Sequence, residues 1–429
     1  MYVLVLKSIL KKTLLFIISI YLSLLIIETL LIYTDLDRKS VYLDLKKIIE
    51  KKINKIDYDK RSLVEFYQDY KKINENAVLS TTSTGLNTHI DSTFTLNDGT
   101  KVFPLSGISN RETVLCNELG YFAKYKSDQY GFNNTSNWKN EYSYLLIGDS
   151  TVEGYCVDEK DNIAGNLQNL LGKKNSVLNL GRGGNGTLKN YAILKEYIDL
   201  IDTKNILYFH ATANDLQDLQ VELRNPILKR YYNDKHYSQN LANLQDLIDE
   251  NLIFKLNEIL EEFINEQKIV KNKKYYFIKF IKLNRTIRFK NKVLRQLKNK
   301  EERSSEFLKE NIFGELIKTE FRRILKSMKN LADERNINFY FVYWPYYYTD
   351  PDSHKKSEKI INLNDQYYSD ILSVAAELEI PVINLKQSLF ELEKDPLSLI
   401  RLRVLGHFNE KGYKLLSKIM LNKIENNKY

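Results

Sequence analysis

The chain has 429 residues, 43% hydrophobic and 28% charged, which is enough apolar side chain for one large domain or two to three smaller ones and rules out a generally disordered polymer. Its net charge of +9 would suit an anionic partner, but no zinc-finger spacing, RNA-recognition signature or basic zipper is present, so the reading is no nucleic acid and a lysine-rich solvated surface. The two cysteines, Cys116 and Cys156, lack metal-site spacing, and nothing calls for a metal or an organic cofactor.

Residues 13–33 form an apolar stretch with one charge, Glu28, long enough as a helix to cross a hydrocarbon core of about 30 Å. Lys7, Lys11 and Lys12 precede it and no small-residue cleavage site follows, which favours an uncleaved signal anchor over a removed signal peptide. Arg38, Lys39, Lys46 and Lys47 on the far side match the near-side lysines, so flanking charge does not set the orientation. The expected organisation is a cytoplasmic tip and anchor over 1–34, a helical stalk over 35–75 and a β-rich accessory layer over 76–141. Asn97-Asp98-Gly99, between 93–96 and 101–105, predicts a hairpin turn in that layer.

From 142 to 429 the pattern alternates. Apolar runs at 143–147, 176–180, 205–210, 337–344 and 380–385 predict five strands, with helices near 161–171, 188–201, 318–334, 363–378 and 409–425. Continuous apolar strands separated by helices imply an α/β fold with a parallel sheet covered on both faces. A helical insertion over about 216–316 interrupts it between strands three and four. Within it, residues 271–303 carry thirteen Lys/Arg against two Glu, interleaved with aromatics. That segment reads as a helical cap packed on the sheet with its lysines in water; an interfacial helix on anionic lipid and a cleft rim for an acidic polymer are the other readings.

Four strand ends carry chemistry. Gly148-Asp149-Ser150 ends strand one, where open α/β sheets place ligands and a hydroxyl can be exposed for attack. After strand two, residues 181–186 read Gly-Arg-Gly-Gly-Asn-Gly, a loop whose backbone can approach a ligand closely; it lacks the context of a dinucleotide fingerprint. After strand three comes Asn214, with a side-chain amide donor, and before the last helix comes His407. Of the other histidines, His210 lies in strand three as a structural neighbour, and His89, His236 and His354 lie in loop or insertion sequence. Together these supply a nucleophile, a base and oxyanion donors.

Ser150, Gly184, Asn214 and His407, in that order, resemble the SGNH hydrolase superfamily of GDSL-type esterases and acyltransferases, in its membrane-anchored bacterial form. The stretches 116–120, 127–133, 191–197 and 237–239 are similar to such members as well. The resemblance implies a three-layer flavodoxin-like SGNH fold, Ser150 as nucleophile, His407 as base, and an oxyanion hole from Ser150 and Gly184 N–H groups with the Asn214 amide. Thr212-Ala213 replaces a glycine-containing pair before Asn214. The family's aspartate three residues before the histidine is here Val404. The expectation is therefore a Ser-His dyad with a main-chain carbonyl at the imidazole, and Asp395 as a candidate substitute acid. Asp149 and Asp215 are read as structural. Cys116 and Cys156 bracket strand one and are expected to form a disulfide tying the accessory layer to the loop beside Ser150; two buried thiols are the alternative.

The implied function is a membrane-anchored, single-pass esterase or O-acyltransferase with its C-terminal domain extracytoplasmic (periplasmic). Its substrates would be acyl esters, acetyl above all, of surface carbohydrate or another small ester. A catalytically degenerate SGNH fold acting as a glycan-binding or envelope-assembly protein is the competing expectation, and a lipase-like enzyme docking through the basic insertion is the third. The sequence does not set the oligomeric state.

Overall fold

The computed structural model describes residues 2–34, 49–82, 93–134, 137–172, 176–212, 214–270, 273–301, 313–345, 347–349, 360–362, 367–404 and 407–426. The first part of the expected stalk (35–48), His89, His354, Ala213 and Gly406 lie outside them. The chain forms two compact units, Met1–Ile48 with Glu261–Glu310, and Ile49–Leu260 with Asn311–Tyr429.

In the first unit, helix α1 (Tyr2–Thr34) contains the apolar span Lys7–Tyr33, 27 residues and about 40 Å at the helical rise. It is long and apolar enough to cross a membrane. Three of its hydroxyls are satisfied within the helix: Thr13, Ser23 and Thr29 each donate to the carbonyl four residues back. Its partners are the short helices Lys273–Ile281 and Asn284–Glu301. The expected helical insertion is therefore divided between the two units. The segment 261–310 is grouped with the N-terminal helix, and only the insertion's earlier part belongs to the other unit. The physical reason lies at Glu28, whose buried carboxylate accepts the Arg285 and Thr286 N–H groups at 2.9 and 2.7 Å and so caps the second helix from α1.

The second unit is built on a parallel sheet of five strands: β1 (Glu141–Ile147), β2 (Val177–Asn179), β3 (Asp202–Ala211), β4 (Asn338–Trp344) and β5 (Val382–Asn384). Their order is β5-β4-β3-β1-β2 and every pairing is parallel. All five lie on the apolar runs read from sequence. Helices Ile163–Leu171 and Glu410–Glu425 pack together in one layer, and Thr187–Tyr197 packs with Asp215–Glu222 and Arg322–Asp333. Strand side chains buried into the first layer include Leu146, Leu207, Phe209, Val342 and Trp344, which meet Ile163, Leu167, Tyr413, Leu416 and Met420. This is the three-layer α/β architecture expected. The strand order reverses direction between β1 and β3, which makes the carboxyl ends of those two strands the topological switch point.

The accessory layer holds a three-stranded sheet in which Glu112–Val114 pairs with Ala77–Leu79 (parallel) and Lys124–Lys126 (antiparallel). The hairpin at Asp98-Gly99 forms as expected, with Phe94–Thr95 paired to Lys101–Val102. The helix Leu63–Ile73 starts at a capping box made by Ser62 and Glu65.

Candidate active site

Strand β1 stops at Gly148, and Asp149 then caps a single helical turn, Ser150–Glu153, by accepting the Thr151 N–H at 2.9 Å and the Thr151 hydroxyl at 2.7 Å. This puts Ser150, half-buried, at the carboxyl end of β1, at the topological switch point. The glycine loop lies against that turn. A Cβ on Gly181 would come within 2.4 Å of the Glu153 nitrogen, so only glycine permits the approach. The Glu153 carboxylate, buried, accepts the Gly183 N–H at 2.8 Å and the Thr82 hydroxyl at 3.1 Å, and the Arg182 N–H bonds the Gly148 carbonyl at 3.1 Å. Burial first, with Asp149 adding, raises Glu153 above the usual carboxylate range despite Arg182 and these hydrogen bonds. Gly184 then adopts φ +75°. The buried carboxylate of Glu222 accepts the N–H groups of Gly186, Leu188 and Lys189 at 2.6, 3.0 and 3.2 Å and holds the far end of the loop. Burial pushes Glu222 up to about 7 against the opposing charge of Lys189.

Asn214 occupies the N-cap position of the helix that follows β3, and its side-chain amide donates to the Asp218 carboxylate. Beneath it Asp215 accepts the Ala211 N–H at 2.9 Å. His210 Nδ1 and Asp215 Oδ2 are 3.4 Å apart, both fully buried. They are close but not an ion pair, because burial pushes His210 down to about 3 and Asp215 well up. His210 is thus a neutral structural neighbour.

His407 sits in the loop before the last helix. An isolated bridge of Ile400 to Phe408 and the Asn409 cap on the Gly412 N–H, at 3.0 Å, hold that loop. The Tyr155 ring lies 4.8 Å from the imidazole. His407 Nε2 is 2.9 Å from Ser150 Oγ. The hydroxyl has a second acceptor, Asp149 Oδ2, at the longer distance of 3.2 Å. The other ring nitrogen faces a residue the sequence reading did not propose: Nδ1 is 3.3 Å from Glu118 Oε2, which also accepts the His407 backbone N–H at 3.1 Å. With Nδ1–H directed at Glu118, Nε2 carries the lone pair needed to accept from Ser150.

This corrects two expectations. The group at Nδ1 is a carboxylate, not a main-chain carbonyl, so the arrangement is three-membered. Nor is that carboxylate Asp395, which is ion-paired to Arg403 at 2.5 Å, with both side chains more than 40% exposed. Val404, where the family resemblance would place an acid, is fully buried. Glu118 enters from the accessory layer on a loop closed by the bonds from Leu115 N–H to Ala123 O and from Ala123 N–H to Cys116 O, both 2.9 Å. The expected disulfide is present: Cys116 and Cys156 are bonded, with Cα atoms 5.0 Å apart. It ties the Glu118 loop to the chain just beyond Ser150. Glu118 stands two residues after Cys116, and the expected link to Cys156 was the one signal that could have brought it into view.

The charges around His407 are consistent with that geometry. Burial opposes a charged imidazole, but the Glu118 charge and hydrogen bond, then Asp149 and Glu153, outweigh it, and its pKa is raised. Burial likewise opposes ionisation of Glu118, yet His407 and Arg401 hold it below its usual range. Arg401 Nη1 lies 3.6 Å from the other carboxylate oxygen. A pocket of about 250 Å³ adjoins this group and is lined by Tyr58, Arg61, Glu118, Tyr155, Arg401 and the disulfide. Among the described residues no His/Cys/Asp/Glu cluster could hold a metal ion.

No protein-family model and no curated protein sequence matches the chain. Solved structures do. One is a protein assigned to the G-D-S-L lipolytic family from Desulfitobacterium hafniense DCB-2, with 11% identity and a TM-score of 0.31 over 66% of this chain and 99% of that one. Another is the acetyl xylan esterase AlAXEase, with 12% identity and a TM-score of 0.32 over 66% and 99%. The chain is similar to G-D-S-L-type structures.

Proposed function

We propose that this chain is a serine esterase or O-acyltransferase of the SGNH type in which Ser150, His407 and Glu118 act together. The observation that carries the reading is the continuous contact from Ser150 Oγ through the His407 ring to the half-buried carboxylate of Glu118, 2.9 Å on one side and 3.3 Å on the other. His407 takes the Ser150 proton as Oγ attacks an acyl carbonyl, and the imidazolium formed is stabilised by Glu118. The developing oxyanion is met by the N–H groups of Ser150 and Gly184 and by the Asn214 amide, which has a second hydrogen beyond the one given to Asp218. His407 then protonates the leaving alkoxide. It next removes a proton from water or a sugar hydroxyl, which attacks the acyl-enzyme and regenerates Ser150. Acetyl esters of surface carbohydrate are the substrate class that the family resemblance favours, by analogy alone. α1 would anchor the enzyme in the membrane, and the disulfide suits an extracytoplasmic, oxidising compartment.

The degenerate reading drew its force from Val404, and Glu118 supplies a carboxylate by another route, so the enzymatic reading stands ahead of it. The test is fluorophosphonate labelling together with turnover of p-nitrophenyl acetate. The wild-type chain should label and turn over, and Ser150→Ala should do neither. A wild-type chain that neither labels nor hydrolyses would favour the non-catalytic reading.

A further inference from the structure

The basic aromatic part of the insertion takes no part in this chemistry, and its packing calls for a separate explanation. It consists of helices α2 (Lys273–Ile281) and α3 (Asn284–Glu301). The elbow between them is bonded to α1 at two levels. The Tyr21 hydroxyl donates to the Ile281 carbonyl at 2.9 Å, and Glu28 accepts the Arg285 and Thr286 N–H groups and the Thr286 hydroxyl, the last at 2.8 Å. Arg285 also donates to the Leu31 carbonyl at 2.8 Å. Glu28 is only 2% exposed. A carboxylate inside an apolar span is costly unless it is paired or satisfies backbone donors, and the first N–H groups of a helix in an apolar medium need an acceptor. Each group meets the need of the other. The elbow therefore belongs at the depth of the second half of the Lys7–Tyr33 span, beside residues 21–31.

Around this elbow the surface is amphipathic. Phe277 is 62% exposed, Ile287 and Leu294 each 50%, and Ile278 and Ile281 each 40%. Lys279, Lys282, Arg288 and Lys290 are exposed among them. Exposed apolar side chains at i and i+7 on a strongly basic helix, joined to a helix of membrane-spanning length, fit the boundary of a bilayer: apolar groups enter the acyl region and long cationic stems reach the headgroups.

We propose that α2 and α3 form an amphipathic hairpin seated in one leaflet beside α1, with its lysines and arginines binding anionic phospholipid headgroups. The proposal rests on α1 spanning the bilayer and is independent of the catalytic reading. Its test uses the full chain reconstituted into vesicles, with an environment-sensitive nitrobenzoxadiazole label on Phe277→Cys or Ile287→Cys, the native cysteines being held in their disulfide. The vesicles are phosphatidylcholine alone, or the same with a third replaced by phosphatidylglycerol. Both labels should show blue-shifted emission quenched by lipid-borne nitroxides, more strongly with phosphatidylglycerol. The charge-reversed Lys279→Glu/Lys282→Glu/Lys290→Glu chain should lose the phosphatidylglycerol increment while keeping p-nitrophenyl acetate turnover. Water-like emission in both vesicles, a blue shift without lipid quenching (a second protein copy covering the face), or an increment that survives charge reversal would each overturn the proposal. Failure of the unlabelled chain to float with phosphatidylcholine vesicles would remove the anchor itself, and loss of turnover in the wild-type chain would instead strike the esterase reading.

Discussion

Replacing Glu118 by Gln tests the site at its least expected member. The carboxylate lies 3.3 Å from Nδ1, so the centre of its charge is about 4 Å from the centre of the imidazolium charge that forms during attack. At an effective dielectric of about 20, that separation is worth about 4 kcal/mol. Two features reduce it: the pair is not fully dry, with side chains 15% and 16% exposed, and Arg401 draws on the same carboxylate. A net loss of about 2–3 kcal/mol remains, which is roughly a hundredfold fall in kcat. The amide introduced by Glu118→Gln can also donate to Nδ1 and leave the proton on Nε2, the wrong tautomer for accepting from Ser150, so the loss can exceed that figure. The pH profile separates this from simple damage. Glu118 raises the pKa of His407, and the base works only when neutral. Without the carboxylate that pKa falls, so the acid limb of kcat/KM should move to lower pH even as kcat drops. The assay is p-nitrophenyl acetate hydrolysis across pH, with thermal denaturation as a check on folding. A Glu118→Gln enzyme within about twofold of wild type, with an unmoved acid limb, would refute the role; so would a larger loss from Asp395→Asn.

Other consequences can be measured on the same preparation. Asp395→Asn should leave turnover within about twofold, since its partner is an exposed Arg403 and such pairs carry little energy. The Cys116→Ser/Cys156→Ser chain should lose up to about 4 kcal/mol of stability in urea, from the entropy of a closed loop spanning 40 residues, and should lose activity at temperatures where it stays folded because the Glu118 loop is released; unchanged turnover there would show that the loop holds its place without the bond. Glu222→Ala leaves three backbone N–H groups of the glycine-loop helix start without their acceptor and should cost about 2–4 kcal/mol, read from the urea midpoint; a shift below about 0.5 kcal/mol would count against this role. The Glu118–His407 pair has a defined pH window. The raised His407 pKa adds stability that is present below its unfolded value and lost as pH rises through the folded pKa; the lowered Glu118 pKa adds stability present above its unfolded value and lost as pH falls through the folded pKa. The melting temperature of Ser150→Ala minus that of Ser150→Ala/Glu118→Gln should therefore peak between those limits, and a difference flat with pH would contradict the ion pair.

Much of the second unit could be read in the sequence because its signals are local. Each of the five strands is a continuous apolar run, since both faces of the sheet are covered, and the helices between them carry their own periodicity. Ser150 and His407 stand at strand and helix ends marked by Gly148, Asp149 and Asn409, whose roles are set by neighbours within a few residues. Glu118 was not legible for the opposite reason. It lies outside the α/β alternation, 289 residues from His407 in sequence, on a loop with no periodic pattern, and long-range contacts bring it near, among them the Cys116–Cys156 bond and the bonds of Asn117 to Asp59 and Tyr58. Asp395 precedes His407 in the same segment, but its carboxylate is bound by Arg403, eight residues on.

The insertion divides the same way. Its helices and their excess of positive charge were plain from residue types, because amphipathic spacing is a property of the segment itself. Which surface they would cover was not, since an apolar stripe is compatible with a sheet, a bilayer or another helix. Glu28 decided it, by accepting N–H groups 257 and 258 residues away that no local rule connects to it. The sequence by itself determined the elements, the order of the strand-end residues and the span of α1, all of which follow from interactions within a turn or a strand. The tertiary structure alone decided which carboxylate meets His407 and which helices meet α1. Those contacts depend on distant segments sharing a desolvated site, where an unmatched charge or N–H group is too costly to leave alone.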